Sequence, residues 1–320
     1  MSLFLDPSKL PAILERYYSS PEIMKTRLVG RDRKFPSAYF DIVRFFGPEH
    51  VDPSEVALEY LPGSFEFTDQ LIAEFSRQIE TELRRQGRLY DGPTVVSLHH
   101  FDMSRVPYRL IVQEARYVDQ CAGFALDLTS PLFSKWGGTL RNYYKAKYPS
   151  LDARDSPLAI CFGICGLVIV SENDRLRILF VKRSRRLASL EDSIGPSVAG
   201  SIEYEPRYSN LRELIEYSLG KEIEEELGLE RHEFTIIPLA YAREIFRGDR
   251  PQLLCLIRTT LSASEIKDRL LSLDESRREF DDAMFAEIDD DGELRADMLS
   301  TLNFEAVMNW YLAEEYFGRL

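Results

Sequence analysis

Apolar residues recur along this chain with two periods, and each period predicts an element. In FTDQLIAEFSRQIETELRRQG, Leu71, Phe75, Ile79 and Leu83 stand four apart, which gathers them on one face of a helix. Thr68 offers a cap at its start, arginines crowd its end, and Gly87 stops it. TVVSLHHF, after the turn signal YDGP, and YRLIVQEARYV read as strands, while the aromatic-rich stretch up to WGGTLRNYYKAKYPS follows neither period. Farther on, LAICFGICGLVIV and LRILFVKRS are apolar runs on either side of SENDR, as expected of two buried strands joined by a hairpin. In NLRELIEYSLGKEIEEELGL, Leu211, Leu214, Ile215, Leu219, Ile223 and Leu227 recur at three and four. One face of that helix therefore packs inward, through Gly220 to a stop at Gly228. FTIIPLAYAREIF and PQLLCLIRTTL predict two more strands, SASEIKDRLLSL a helix capped by Ser262 or Ser264, and NFEAVMNWYLAEEYF a closing helix.

The polar PSLDARDSP, from Pro149 to Pro157, separates two apolar blocks and predicts a boundary: a smaller α+β domain over residues 1–150 and a second domain over 151–320. With 320 residues, 44% of them hydrophobic, the chain can fill a core in each. No internal repeat interrupts this division. A formal charge of -13 repels phosphate backbones and anionic lipid, which argues against nucleic acid and membrane as partners. No stretch reaches the ~18 uncharged apolar residues of a membrane span, and the start lacks a basic-then-apolar leader, so a cytoplasmic setting is expected. Cys121, Cys161, Cys165 and Cys255 form no C-x-x-C pair and sit among apolar neighbours, as core residues do. EIDDDGEL reads as a solvated turn.

The candidate chemistry lies in KEIEEELGL, Lys221 to Leu229. On a regular helix Glu222, Glu225 and Glu226 fall at i, i+3 and i+4, so their carboxylates emerge on one side within a turn while Glu224 points elsewhere. Three like charges so spaced repel one another unless a cation sits among them, and hard divalent ions such as Mg²⁺ or Mn²⁺ want clustered carboxylate oxygens. The bland alternative is an acidic, solvent-facing helix face.

These residues resemble the Nudix hydrolase family, whose box reads G, five residues, E, seven residues, R-E-U-x-E-E-x-G-U, with U aliphatic. KEIEEELGL matches its second half except that Lys221 replaces arginine, Glu213 stands seven residues upstream where the box has its first glutamate, and Gly228 is the closing glycine. Strict spacing puts Arg207 where the first glycine belongs. Aligning AGSIEYE, Ala199 to Glu205, with the family's GGxxExGE loop instead makes Gly200 the box glycine and PRYSNLR an insertion, leaving Glu205 and Glu213 as rivals for the early glutamate. The resemblance implies an α/β/α sandwich, a mixed sheet between helices, over about 158–317. It also implies hydrolysis of the pyrophosphate link in a nucleoside diphosphate carrying another group. Glu222, Glu225 and Glu226 would bind Mg²⁺ or Mn²⁺, and Glu222 or Glu225 would take the proton of the attacking water, with Glu244 a further candidate. Lys221 offers a point charge where arginine has a planar fork, so a lower rate is expected.

Basic residues after a strand, Lys182 and Arg183 in KRSRR, and Arg243 in YAREIF are candidates for substrate phosphates, or ordinary surface charge. His99 and His100 read as structural. A weaker resemblance, carried by RLYDGPTVVSLHHF and YRLIVQEARYVDQCAGFAL, is to the animal UDP-glucose and UDP-galactose pyrophosphatases, which have an N-terminal domain; it implies a UDP-sugar cut to UMP and a sugar 1-phosphate. Those relatives have a GGH loop where this chain has AGSIEYE. Two other readings compete: a hydrolase of nucleoside triphosphates, deaminated ones included, releasing the monophosphate and pyrophosphate, and a non-enzymatic nucleotide sensor. Residues 1–150 hold no ligand spacing or phosphate loop; completing the pocket, joining a homo-oligomer and binding something else are the roles left open to them.

Overall fold

The computed structural model describes residue 12 and residues 40–88, 92–102, 104–148, 156–172, 175–184, 190, 192–274, 279–289 and 293–317. Most of the expected linker (149–155), Arg185 and Arg186 of the basic run, and 290–292 of the acidic turn lie outside these. In chain order the main elements are β1 (Phe40–Phe45), β2 (Val56–Ser64), α1 (Gln70–Arg85), β3 (Val95–Asp102), β4 (Tyr108–Ala115), α2 (Tyr117–Phe124), α3 (Leu140–Lys147), β5 (Gly163–Glu172), β6 (Arg175–Arg183), β7 (Ile194–Gly195) and β8 (Val198–Ser201). There follow α4 (Leu211–Glu222), β9 (Phe234–Glu244), β10 (Arg250–Thr259), α5 (Ala263–Ser272), β11 (Phe280–Glu287) and α6 (Phe304–Phe317).

The architecture is mixed α+β. A large sheet runs in the order β1, β9, β10, β5, β6, β11, with β7 against β6 and β8 against β5. The β5–β10 pair is parallel and the other pairs are antiparallel. Period-two alternation divides β5 between two cores. Ile164, Val168 and Val170 face the helices α4 and α5, while Cys165, Leu167 and Ile169 face α6. Helices thus cover both faces, the layering expected over the second half of the chain. Helix α6, buried from Phe304 to Ala313, is apolar nearly all round because it also meets the turn after β9.

Ile72, Phe75, Ile79 and Leu83 bury the inner face of α1 as the spacing predicts, with Leu71 at its rim. Its cap is Asp69 rather than Thr68: one Asp69 oxygen accepts from the Leu71 and Ile72 amides at 2.9 and 3.3 Å, and the other accepts from Tyr143, Tyr148 and Lys147 of the α3 region at 2.5, 2.6 and 2.7 Å. The run YRLIVQEARYV is strand only to Ala115; Arg116 caps α2, and Tyr117 and Val118 are helical. At α5 the cap is Ser262, with Glu265 returning to its amide at 2.8 Å. All four cysteines are buried and free. No helix among the described residues is long and apolar enough to cross a membrane.

The two halves of the chain are interleaved. Strand β1 pairs along β9 as an edge of the large sheet. The three-stranded sheet β2, β4, β3 contributes Val56, Leu58, Val96, Leu98, Leu110 and Val112 to the same core as α4. Backbone hydrogen bonds join Val96 to Ile202 and Phe162, and Leu98 to Ile160.

Candidate functional site

Helix α4 is placed by two close approaches. A Cβ on Gly166 of β5 would stand 2.5 Å from Ile257 Cδ1 and 3.3 Å from Leu219 Cδ2, so the bare glycine lets the helix settle onto the sheet. At the helix start, Asn210 caps the Glu213 amide, and the Glu213 carboxylate accepts from the Ser209 amide and hydroxyl at 2.8 and 3.0 Å. Glu213 therefore serves the helix start, about 20 Å along the axis from Glu226. Glu205, its rival, bonds Tyr217 at 3.0 Å and pairs with Arg207 at 2.6 Å.

Beyond Glu222 the helix changes pitch. Ile223–Leu227 is a π turn, and Gly228 ends it in the left-handed region with φ of 68°. Such a turn is wider than an α turn, so the residue four on from Glu222 lies more nearly over it and the one three on swings aside. The side chains follow this geometry: Glu226 is buried, Glu222 half-buried, Glu225 exposed. The expected three-on-one-side arrangement becomes two glutamates facing inward and one facing out.

The inward pair faces the sheet. Gly200 of β8 lies against Glu222 so closely that a Cβ there would fall 2.0 Å from Oε1. Burial drives the Glu226 carboxyl well above the usual carboxylate range, repulsion from Glu222 and Glu279 adds to it, and Arg183 and the Ala199 amide oppose it. Glu222 is raised likewise, by the protein packed around it and then by Glu279 and Glu225. Glu279, just before β11, is raised by the protein packed around its carboxyl; Arg183 offsets this and Glu225 adds to it. A fourth carboxylate thus joins the box glutamates, from a position that periodicity does not mark.

Alternation on β6 decides which basic residue lies on the α4 face of the sheet. Leu179 and Val181 face the α4 core, and Arg183 is next on that face, directly opposite Phe280 across the β6–β11 pair. Lys182 points the other way and pairs with Asp192 at 3.0 Å. Lys221 donates to Glu203 at 2.6 Å, the glutamate of the AGSIEYE loop, which is itself bridged to Val95 of β3. Arg243 binds Asp41 of β1. Glu244, the further candidate base, is fully buried and paired with Arg247 at 2.9 Å and Arg250 at 3.3 Å, beside Glu305 of α6. His99 and His100 are half-buried on β3, at the irregularity in its pairing with β4.

In its chemistry the donor set suits a hard divalent cation: oxygen ligands only, mutually repelling, with room left by Gly200. Its geometry is open, since among the described residues no three His, Cys, Asp or Glu side chains close round a common point.

No family model matches the sequence, and no curated protein matches it. Parts of the chain overlay on solved structures. A mutT/nudix family protein from Listeria innocua is 15% identical over 50% of this chain and 94% of that one, with a TM-score of 0.34. The NUDIX domain of Shewanella oneidensis NrtR, solved with ADP ribose, is 15% identical over 55% and 97%, with a TM-score of 0.32. For DR0079 from Deinococcus radiodurans the identity is 14% and the TM-score 0.29, and the match takes in 39% of this chain and 65% of that one. Overlaps this loose fix neither an activity nor a family.

Proposed function

We propose that this chain is a Nudix-type hydrolase that cuts the pyrophosphate link of a nucleoside diphosphate derivative, giving a nucleoside monophosphate and the phosphorylated remainder. The observation that supports this is the inward turn of Glu222 against Gly200 and of the buried Glu226, with Glu279 close enough to repel both. An acidic surface helix has no reason to turn two glutamates inward against a glycine. The reading takes Glu222, Glu226 and Glu225 as the residues that hold Mg²⁺ or Mn²⁺, and it adds Glu279. The bound ion would neutralise the pyrophosphate and make water a better nucleophile.

Each nearby side chain then has a role. In this reading Glu225 or Glu279, both exposed, accepts the proton of the attacking water, while Glu222 and Glu226 stay turned inward. Arg183 meets the phosphate oxygens as charge builds on the leaving phosphate. Lys221 acts by tying the Glu203 loop to α4, which keeps Gly200 against Glu222. Lys182 and Arg243 have partners of their own and lie outside this arrangement. A division at 1–150 and 151–320 is retained as a functional one, with the first half bracing the back of α4. For the substrate we favour a nucleotide sugar of the UDP-glucose kind, on the strength of the sequence resemblance in residues 85–260.

A nucleotide sensor is the second reading, favoured by the open geometry of the carboxylates. A panel assay separates the two. Purified protein with Mg²⁺ or Mn²⁺ is offered UDP-glucose, ADP-ribose, a dinucleotide and common and deaminated nucleoside triphosphates, with Glu226→Gln as control. UMP plus sugar 1-phosphate is the expected product. A monophosphate plus pyrophosphate would move the substrate to the triphosphates, and no turnover above the control would leave the sensor.

A further inference from the structure

The insertion PRYSNLR and the outward side of α4 meet in a cluster that the carboxylate chemistry leaves unused. Tyr208 of the insertion and Tyr217 of α4 bring their ring centroids within 5.1 Å of each other. The Arg207 guanidinium sits over both, 4.5 Å from the centroid of Tyr217 and 5.1 Å from that of Tyr208. Glu205 fixes the group. It accepts from the Tyr217 hydroxyl at 3.0 Å and pairs with Arg207 at 2.6 Å, while Arg207 Nε donates to the Tyr208 hydroxyl at 2.9 Å. Tyr208 is half-buried against the α4 core, whereas Tyr217, like Val106 and Leu271, is a large apolar side chain left exposed.

Three contacts carry residues 200–205 back along α4 from the glutamates to this cluster. Gly200 lies against Glu222, Glu203 binds Lys221 at 2.6 Å, and Glu205 binds Tyr217. Tyr217 precedes Glu222 by five residues, about 7.5 Å along the helix axis, a separation that the sugar between a base and its phosphates can bridge. We infer that Tyr208, Tyr217 and Arg207 form a stacking platform for the base of a nucleotide whose phosphates lie at the glutamates. The inference rests on reading the glutamates as the ion and phosphate site. Bases of every kind stack on tyrosine rings and guanidinium planes, so the platform takes uracil and adenine alike and confers affinity for a nucleoside rather than choice of base. Glu205 is then a positioning residue. The insertion that breaks the spacing of the box supplies two of the three platform side chains.

The test uses the full chain with Mn²⁺ saturating and compares UDP and ADP with inorganic pyrophosphate, which has two phosphates and no nucleoside, by isothermal titration calorimetry. Tyr217→Ala is expected to bind both nucleotides about tenfold more weakly than wild type, as for a lost base–ring stack, and pyrophosphate within about twofold. Tyr217→Phe, which keeps the ring and loses the bond to Glu205, should recover nucleotide binding to within about threefold of wild type. Nucleotide binding unchanged in Tyr217→Ala, or weakened no more than pyrophosphate binding, would overturn this inference and leave the proposed function standing. So would a Tyr217→Phe as weak as Tyr217→Ala, since the loss would then belong to the Glu205 bond. If the wild type binds neither nucleotide, the platform and the proposed function fail together.

Discussion

Gly200→Ala is the smallest change that tests the site. The added methyl would fall 2.0 Å from Glu222 Oε1, 2.5 Å from Cδ and 3.1 Å from Oε2, and ordinary contact begins near 3.4 Å. Oε1 must therefore retreat by about 1.4 Å, the difference between 3.4 and 2.0. The clash is with the end of a flexible side chain and not with backbone, so the fold can absorb it. Alanine in a strand also gives back some of the roughly 0.5–1 kcal/mol that glycine costs there, which leaves the net change in stability close to zero. Metal–ligand distances tolerate only ~0.2 Å, so a shift of this size takes Glu222 out of any coordination shell it belongs to. A misplacement of about 1 Å costs on the order of a hundredfold in rate. The assays are a thermal melt, a Mn²⁺ titration and turnover of whichever panel nucleotide the wild type cuts. The expected outcome is an unchanged melt, with weaker Mn²⁺ binding and turnover down about a hundredfold. Wild-type turnover and ion binding in Gly200→Ala would refute the placement of Glu222 at the site.

Glu225→Gln and Glu226→Gln should each lose most turnover while melting as a folded protein, because neither change removes apolar packing; normal rates in both would remove the chemistry from this helix. Asp69→Asn should cost about 2 kcal/mol at pH 7, after allowance for the half-exposed Lys147. Burial alone would raise the Asp69 pKa, but Lys147, Tyr143, Tyr148 and the Ile72 amide more than offset it and hold the carboxyl below its usual value. Its stabilising effect is thus complete above the unfolded value of about 3.9 and is lost as pH falls through the lower folded value, so the gap between variant and wild-type melts should close in acid. A gap independent of pH down to acid unfolding would contradict this. Glu244→Gln breaks a fully buried ion cluster and should cost about 3 kcal/mol or more by denaturant titration. If it instead abolished turnover in a protein of normal stability, Glu244 would belong to the chemistry.

The parts of the fold that periodicity revealed are those whose own residues decide them. Leu214, Leu219, Ile223 and Leu227 announce α4, and the apolar runs of β5, β6, β9 and β10 announce buried strands, because one face or both must leave water. Spacing alone brings Glu222 and Glu226 to one side of the end of α4. It could not show the π turn, which depends on how that end meets β8 and α5, and so it grouped Glu225 with the inward pair. Glu279 carries no local signal at all: a single glutamate comes near the inward pair when β11 pairs with β6. Lys182 and Arg183 look equivalent in a basic run, and the register of β6 separates them. Thr68 and Asp69 differ by one position, and the geometry of two amides settles which of them caps the helix.

Strand β1 has a consequence for how the molecule is made. Its partner β9 lies roughly 200 positions later in the chain. At a synthesis rate of about 5–20 residues per second, Phe40–Phe45 waits on the order of 10–40 s before the strand it needs exists. Through that interval a short, largely apolar segment has unsatisfied backbone groups and a strong tendency to pair with the wrong edge. Joining β1 to β9 therefore closes a very long loop, which makes folding slow compared with proteins built from neighbouring contacts and makes the newborn chain a natural client for chaperones.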